Sequence, residues 1–359
     1  MSRHNCNFYK VMPEGYDLLG ANRKELDCYG IPPRPDSDTE PGLYEFWRRL
    51  VSPPFHAKRP TFHSVYRPPR KKLHPGRPKK SQTYGPQSLM GEGLRDCDFF
   101  WSCGGTSQSS LNWSGAIISP PWPKRFILVT AGWKAPKVRA ALPSPMNAYK
   151  DHPKALVWVG LDGANGAVPG ISLPQIGTAH FCNGKHFAWW AWWCNPLTPD
   201  KPQPGSAITM IKDFEVRPKD EILAGVSVLI SQDVLFFIKN QRTGQFRSFL
   251  ARQPHDILQL GASAEWVVER PTQPESHDFH ALANYGHLDF KYCMAVAGDG
   301  PVPSERRVVT LADNGRMMKM REAFTPRPHH CCVTSVSRAT RRPDKDGSIG
   351  VTCRFHPPA

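Results

Sequence analysis

The chain has no run of about 18 apolar residues, the length a membrane-crossing helix needs. It has no Cys-x-x-Cys pair, no glycine-rich phosphate loop, no strand–helix–strand rhythm and no repeat at a fixed period. Paired-thiol zinc modules, nucleotide and dinucleotide chemistry, and solenoids are excluded by those absences. Its 10 cysteines are sparse for a disulfide scaffold. His329, His330, Cys331 and Cys332 form a tempting cluster. Neighbours on an extended chain point opposite ways, however, and zinc sites space their ligands by two to four residues. No metal and no cofactor is expected. The opening MSRHNCNFYKVMPEGYDLLG lacks the apolar core of a signal peptide.

What is present divides into two parts. Residues 1–105 form a basic, proline-rich N-terminal region, expected to be largely irregular, with a short helix around YEFWRRLV. Between Arg48 and Lys80 there are 11 basic residues and no acidic one. Clustered charge of this kind gives non-specific nucleic-acid contact at low salt, here through residues 48–80. Gly76-Arg77-Pro78 resembles the core of a minor-groove-binding hook, a weak signal when it occurs once. A cleavable inhibitory pro-segment is the first reading of this arm. The whole chain carries a formal charge of +15, which favours anionic partners.

Residues 106–359 read differently. Apolar, strand-length runs recur: NWSGAII, RFILVTAGW, ALVWVGL, HFAWWAWWC, ILAGVSVLI, DVLFFIK, AEWVVE, HLDFKYC, RRVVTL and SIGVTCRF. Turn residues such as Asp-Gly-Ala-Asn-Gly, Arg-Thr-Gly and Asp-Asn-Gly separate them. Short strands with frequent turns predict an all-β protein, an antiparallel sandwich or barrel.

Three segments could carry chemistry. In AEWVVE, alternation puts Ala264, Trp266 and Val268 on one face and Glu265, Val267 and Glu269 on the other. Two carboxylates on one face belong either to a solvated sheet surface or to acid–base chemistry. WVGLDG ends a strand in a turn that presents Asp162, and SLPQIGT presents Gln175. HFAWWAWWC crowds Trp189, Trp190, Trp192 and Trp193 around Ala191. Those rings either fill a core or line a groove for a peptide or sugar.

NWSGA, a strand ending GWKAP, WVGLDG, a Gln-x-Gly segment, a Trp-rich strand and SAEWVVE occur in that order, followed by LANYGHLDF. The series resembles the eqolisins, the glutamic peptidases, over about residues 112–355. That resemblance implies a lectin-like sandwich of two sheets of about seven strands each, with the active site on a concave face. It implies Gln175 and Glu265 as the catalytic pair, and Trp158, Asp162 and Trp190 as residues that line or support the groove. Glu269, two steps along from Glu265, is either a supporting hydrogen-bonding group or plainly solvated. The implied function is acid-active, pepstatin-insensitive endopeptidase action on a protein or peptide substrate, by a monomer without metal. Secretion follows from the same resemblance, whereas the missing signal segment points to the cytoplasm. The pattern departs at Ala191, where family members carry a glutamate. A sandwich that binds peptide or glycan without cleaving it is the alternative expectation.

Overall fold

The computed structural model describes residues 6–7, 9–65, 107–140, 153–165, 172–194, 208–229, 233–252, 260–271, 279–300, 305–321, 335–344 and 348–356. The His329–Cys332 cluster and the Gly76-Arg77-Pro78 tripeptide lie outside the described residues.

The protein is a β-sandwich. From one edge, the first sheet runs Thr61–Ser64, Thr209–Lys212, His186–Cys194, Ser172–Phe181, Lys154–Leu161, Ala264–Glu269, Trp113–Ile118 and Arg316–Arg321, with every neighbour antiparallel. The second runs Gln245–Ala251, Val234–Asn240, Glu221–Val228, Arg125–Lys134 and His287–Gly298. The two halves of His287–Gly298 then pair with different strands, Ile349–Phe355 and Arg306–Thr310. Ser335–Pro343 bonds to both Ile349–Phe355 and Arg316–Arg321, so the sheets join at one edge.

Between the sheets lies a core built from alternate residues of each strand. It includes Trp133, Trp190, Trp266, Phe236, Phe249 and Phe290. Fully burying a large apolar side chain of this kind contributes about 1.5–3 kcal/mol. Polar atoms carried inward find partners, as buried groups must. Trp266 Nε1 donates to the Thr130 carbonyl across the core at 2.8 Å. Trp133 Nε1 donates to Thr178 Oγ1 at 3.0 Å.

ILAGVSVLI and DVLFFIK are apolar on both faces because both faces are covered. Ala224, Phe236 and Ile238 point into the sandwich, while Leu223, Leu235 and Phe237 point outward into a second core. The N-terminal segment supplies the cover. Its helices are α1 (Arg23–Cys28) and α2 (Pro41–Val51). The helix expected around YEFWRRLV is α2. Leu43, Phe46, Trp47, Leu50 and Val51 recur at helical spacing and are all buried. Phe46 packs on Phe237 and Tyr292, at ring separations of 6.4 and 5.7 Å. Lys239 Nζ donates to the Arg49 carbonyl at the end of α2, at 3.2 Å. Much of residues 9–65 has no regular structure, yet the segment is packed against the sheet.

Candidate active site

One row of residues crosses the first sheet. Pairing places Arg316 opposite Ile117, Ile117 opposite Glu265, Glu265 opposite Gly160, Gly160 opposite Gln175, and Gln175 opposite Ala191. Directly paired residues project from the same face of a sheet. Ile117, Ala191 and their alternating neighbours Trp113, Trp158, Leu173, Trp189 and Val267 cluster on the face turned away from the second sheet. Glu265 and Gln175 therefore share that outer face, two strand spacings apart, about 9.6 Å between Cα atoms. Gly160 sits between them and contributes no side chain. A Cβ there would meet the Pro174 carbonyl oxygen at 2.9 Å and Gln175 Cβ at 3.1 Å.

Each side chain is held by identifiable neighbours. Glu265 is fully buried. Its Oε1 accepts from the Ala164 N–H at 3.0 Å. Gly163 packs against its carboxyl group, so closely that a Cβ would stand 3.2 Å from Glu265 Cδ. Glu265 Oε2 and Gln175 Oε1 are buried without a protein hydrogen-bond partner. Two oxygens with free lone pairs thus flank a side-chain-free gap, and an incoming water or peptide can bind them. Burial raises Glu265 to about 8; the Ser263 hydroxyl and the Ala164 N–H partly offset this, and the Asp162 charge adds to it.

Asp162 organises the approach to the glutamate. Its φ is +69°, a left-handed conformation that aspartate tolerates better than most residues. The carboxylate accepts from the N–H groups of Leu260, Gly261 and Ala262 at 2.9, 3.0 and 2.6 Å. The Asp162 N–H donates to the Ser263 carbonyl at 3.0 Å. The turn after one strand thereby fixes the segment entering the Glu265 strand. Burial raises Asp162 to about 6 against the pull of those N–H groups.

Glu269 is buried rather than solvated. It accepts from Trp158 Nε1 at 2.7 Å and from Asn112 Nδ2 at 3.4 Å. Desolvation raises it to about 7, opposed first by the Trp158 hydrogen bond. Trp158 stands edge-on to Trp113 at 5.0 Å. Glu269 thus holds the aromatic floor beside the Glu265–Gln175 row. Neither Asn112 nor Trp113 was singled out from the sequence, although both belong to the NWSGA motif.

The Trp-rich strand divides by alternation. Trp189 and Trp193 lie on the outer face with Ala191. Trp190 and Trp192 point between the sheets. Trp190 packs on Phe62, Phe236 and Phe249 at 5.1–5.6 Å. The structure therefore places Trp190 in the core and not along the Glu265–Gln175 row. Cys182 at the other end of the hairpin is a free thiol.

The Peptidase A4 family model matches residues 111–330. The chain belongs to this family. The match spans the row of paired residues, the Asp162 turn and the Trp-rich strand. Among solved structures, a scytalido-glutamic peptidase with a transition-state analogue inhibitor is 17% identical. It covers 68% of this chain and 98% of its own, with a TM-score of 0.50. The same peptidase with a peptide-based transition-state analogue is 18% identical at the same coverage and TM-score. The aspergilloglutamic peptidase from Aspergillus niger is 18% identical, covers 57% of this chain and 99% of its own, and has a TM-score of 0.39. At these identities the A4 neighbours establish the shared β-sandwich fold. No curated protein sequence matches.

Proposed function

We propose that this A4-family protein is a glutamic-type endopeptidase in which Glu265 and Gln175 act on a water and a peptide carbonyl over Gly160. One observation carries the reading: two buried side-chain oxygens without protein partners on one row, separated by a residue without a side chain. Ionised Glu265 removes a proton from water as the water oxygen attacks the carbonyl carbon. The Gln175 amide donates to the oxygen that becomes negative. Protonated Glu265 then returns its proton to the amide nitrogen as the C–N bond breaks, and the carboxylate is regenerated. The neutral amide avoids the like-charge repulsion that a pair of carboxylates must manage. Asp162, Glu269 and Trp158 position the pair and the aromatic surface beside it.

Acid activity places a demand on Glu265. With its proton held up to about 8, roughly one molecule in a thousand is ionised at pH 5 in the free protein. Water and substrate bound to its free oxygen must lower that value for hydrolysis in acid; otherwise the rate climbs toward neutrality. The test is digestion of a denatured protein from pH 2 to pH 8 with pepstatin present. Cleavage should disappear in Glu265→Gln and in Gln175→Ala while both variants stay folded. Retained cleavage in either variant sinks the pairing. The position of the pH optimum reports how far the bound state shifts Glu265.

Ala191 supports a second reading, a sandwich that binds peptide or glycan along this face without turnover. Saturable binding with no cleavage at any pH would select it.

A further inference from the structure

The row that carries Glu265 and Gln175 continues beyond them, and its two ends differ. Past Gln175 the outer face is apolar: Ala191, flanked by Trp189 and Trp193, with Met210 on the next strand. Past Glu265 come Ile117 and then Arg316. Two observations put the Arg316 side chain on the outer face. It pairs directly with Ile117, and it lies two residues before Met318, which packs in the same outer cluster. Arg316 is exposed. It donates to Ser119 Oγ at 3.3 Å and pairs with no carboxylate among the described residues. Its acidic neighbour Asp313 is already bound to Arg307 at 3.1 Å.

The face also gives the row a direction. Gly160 and Ala191 are low, whereas the rings of Trp158 and Trp189 stand alongside, two residues along their strands. Low residues beside tall rings form a trough across the strands. An extended peptide seated in it passes over Gly160 and Glu265 toward Arg316. From Gly160 to Arg316 is three strand spacings, about 14 Å, and an extended chain advances about 3.3 Å per residue. Allowing for the long arginine side chain, contact falls roughly two to four residues from the scissile bond.

The geometry points to Arg316 as a specificity-determining residue that selects an acidic side chain, aspartate or glutamate, on the Glu265 side of the cleavage site. This inference rests on the peptidase reading for its frame, but it concerns binding and can be tested without turnover. An unpaired guanidinium at the end of a trough offers a carboxylate a forked, charge-assisted contact. The formal charge of +15 on the whole chain acts in the same direction.

A set of peptides tests it. A single glutamate is moved through each position from four before to four after the cleaved bond, with glutamine and lysine at the same positions as references. Both kcat/KM and the Kd from tryptophan fluorescence are read for the wild type, Arg316→Lys and Arg316→Glu. Arg316 is exposed and makes one long hydrogen bond, so these variants should fold. Glutamate should be favoured over glutamine by about three- to ten-fold at one or two positions on one side only, the range of a partly screened ion pair. The preference should reside in KM and Kd rather than kcat. It should persist in Arg316→Lys and turn to lysine in Arg316→Glu. No positional preference, or one unchanged in Arg316→Glu, overturns the inference. Arg316-dependent binding of acidic peptides without cleavage supports it while the peptidase reading fails. Cleavage indifferent to Arg316 does the reverse.

Discussion

Replacing Glu265 by glutamine should stabilise the protein at neutral pH and leave it nearly unchanged in acid. In the folded state the buried carboxyl keeps its proton until about pH 8. In the unfolded chain it loses that proton near its ordinary value of 4.5. Between those limits the folded state binds more protons than the unfolded state, so stability falls as pH rises through that window. At pH 7 the interval already crossed is about 2.5 pH units. At 1.36 kcal/mol per unit, this is about 3 kcal/mol of destabilisation. Glutamine keeps the shape and the Ala164 contact but has no charge to bury. Glu265→Gln should therefore match the wild type at pH 4 and exceed it by about 3 kcal/mol at pH 7. With an m-value of about 3 kcal/mol/M, the urea midpoint moves up by about 1 M. Glu269 and Asp162, raised to about 7 and 6, lower stability with rising pH in the same direction. They remain in both proteins and so cancel in the comparison. Urea melts of the two proteins at pH 4 and pH 7 decide the matter. An equal difference at both pH values, or none at pH 7, would refute the claim that desolvation of this carboxyl dominates its energetics.

Other outcomes follow from the same geometry. Gly160→Ala should cost about 1–3 kcal/mol by overpacking and abolish cleavage, because its methyl group meets Pro174 and Gln175; denaturation and turnover check the two effects separately. Asp162→Asn leaves the Leu260, Gly261 and Ala262 N–H groups with a weaker acceptor. It should cost about 1–3 kcal/mol and lower activity while shifting the Glu265 titration downward, readable in a pH–rate profile. Phe46→Ala should cost about 3–5 kcal/mol although it lies on the sheet remote from Glu265. A loss under about 1 kcal/mol in urea would show that α2 adds little to the fold.

Much of the sandwich is legible in the sequence because its strands have unusually simple patterns. NWSGAII, ALVWVGL and DVLFFIK are apolar on both faces, and the structure covers both. The strands less easily read are Gln245–Ala251 and Arg316–Arg321, in which arginine and lysine interrupt the apolar run. Arg247 in the first is buried against the carbonyls of Phe246 and Asp213, a tertiary solution that no local pattern announces. The site residues Glu265, Gln175 and Asp162 stand in recognisable motifs, but their juxtaposition depends on pairing between strands far apart in sequence. Trp190 shows the limit: a one-residue change of register exchanges the two faces of a strand. Only its pairing with Ile176 and the pairing of Ala191 with Gln175 decide which tryptophans face the trough. The role of Glu269 was open for the same reason, since its partner Trp158 lies across a strand pair.

The N-terminal segment ties the two sheets together, and that bears on processing. α2 seals the outer face of the second sheet, while Thr61–Ser64 extends the edge of the first through Thr209–Lys212. A chain cut after residue 65 and before residue 107 would come apart in sequence but not in space. Its two pieces would remain associated by the apolar contacts of α2 and the backbone ladder of Thr61–Ser64. Maturation of this protein, if it occurs by such a cut, would give a nicked two-chain molecule rather than a released propeptide. A denaturing gel would show two bands where a sizing column shows one species.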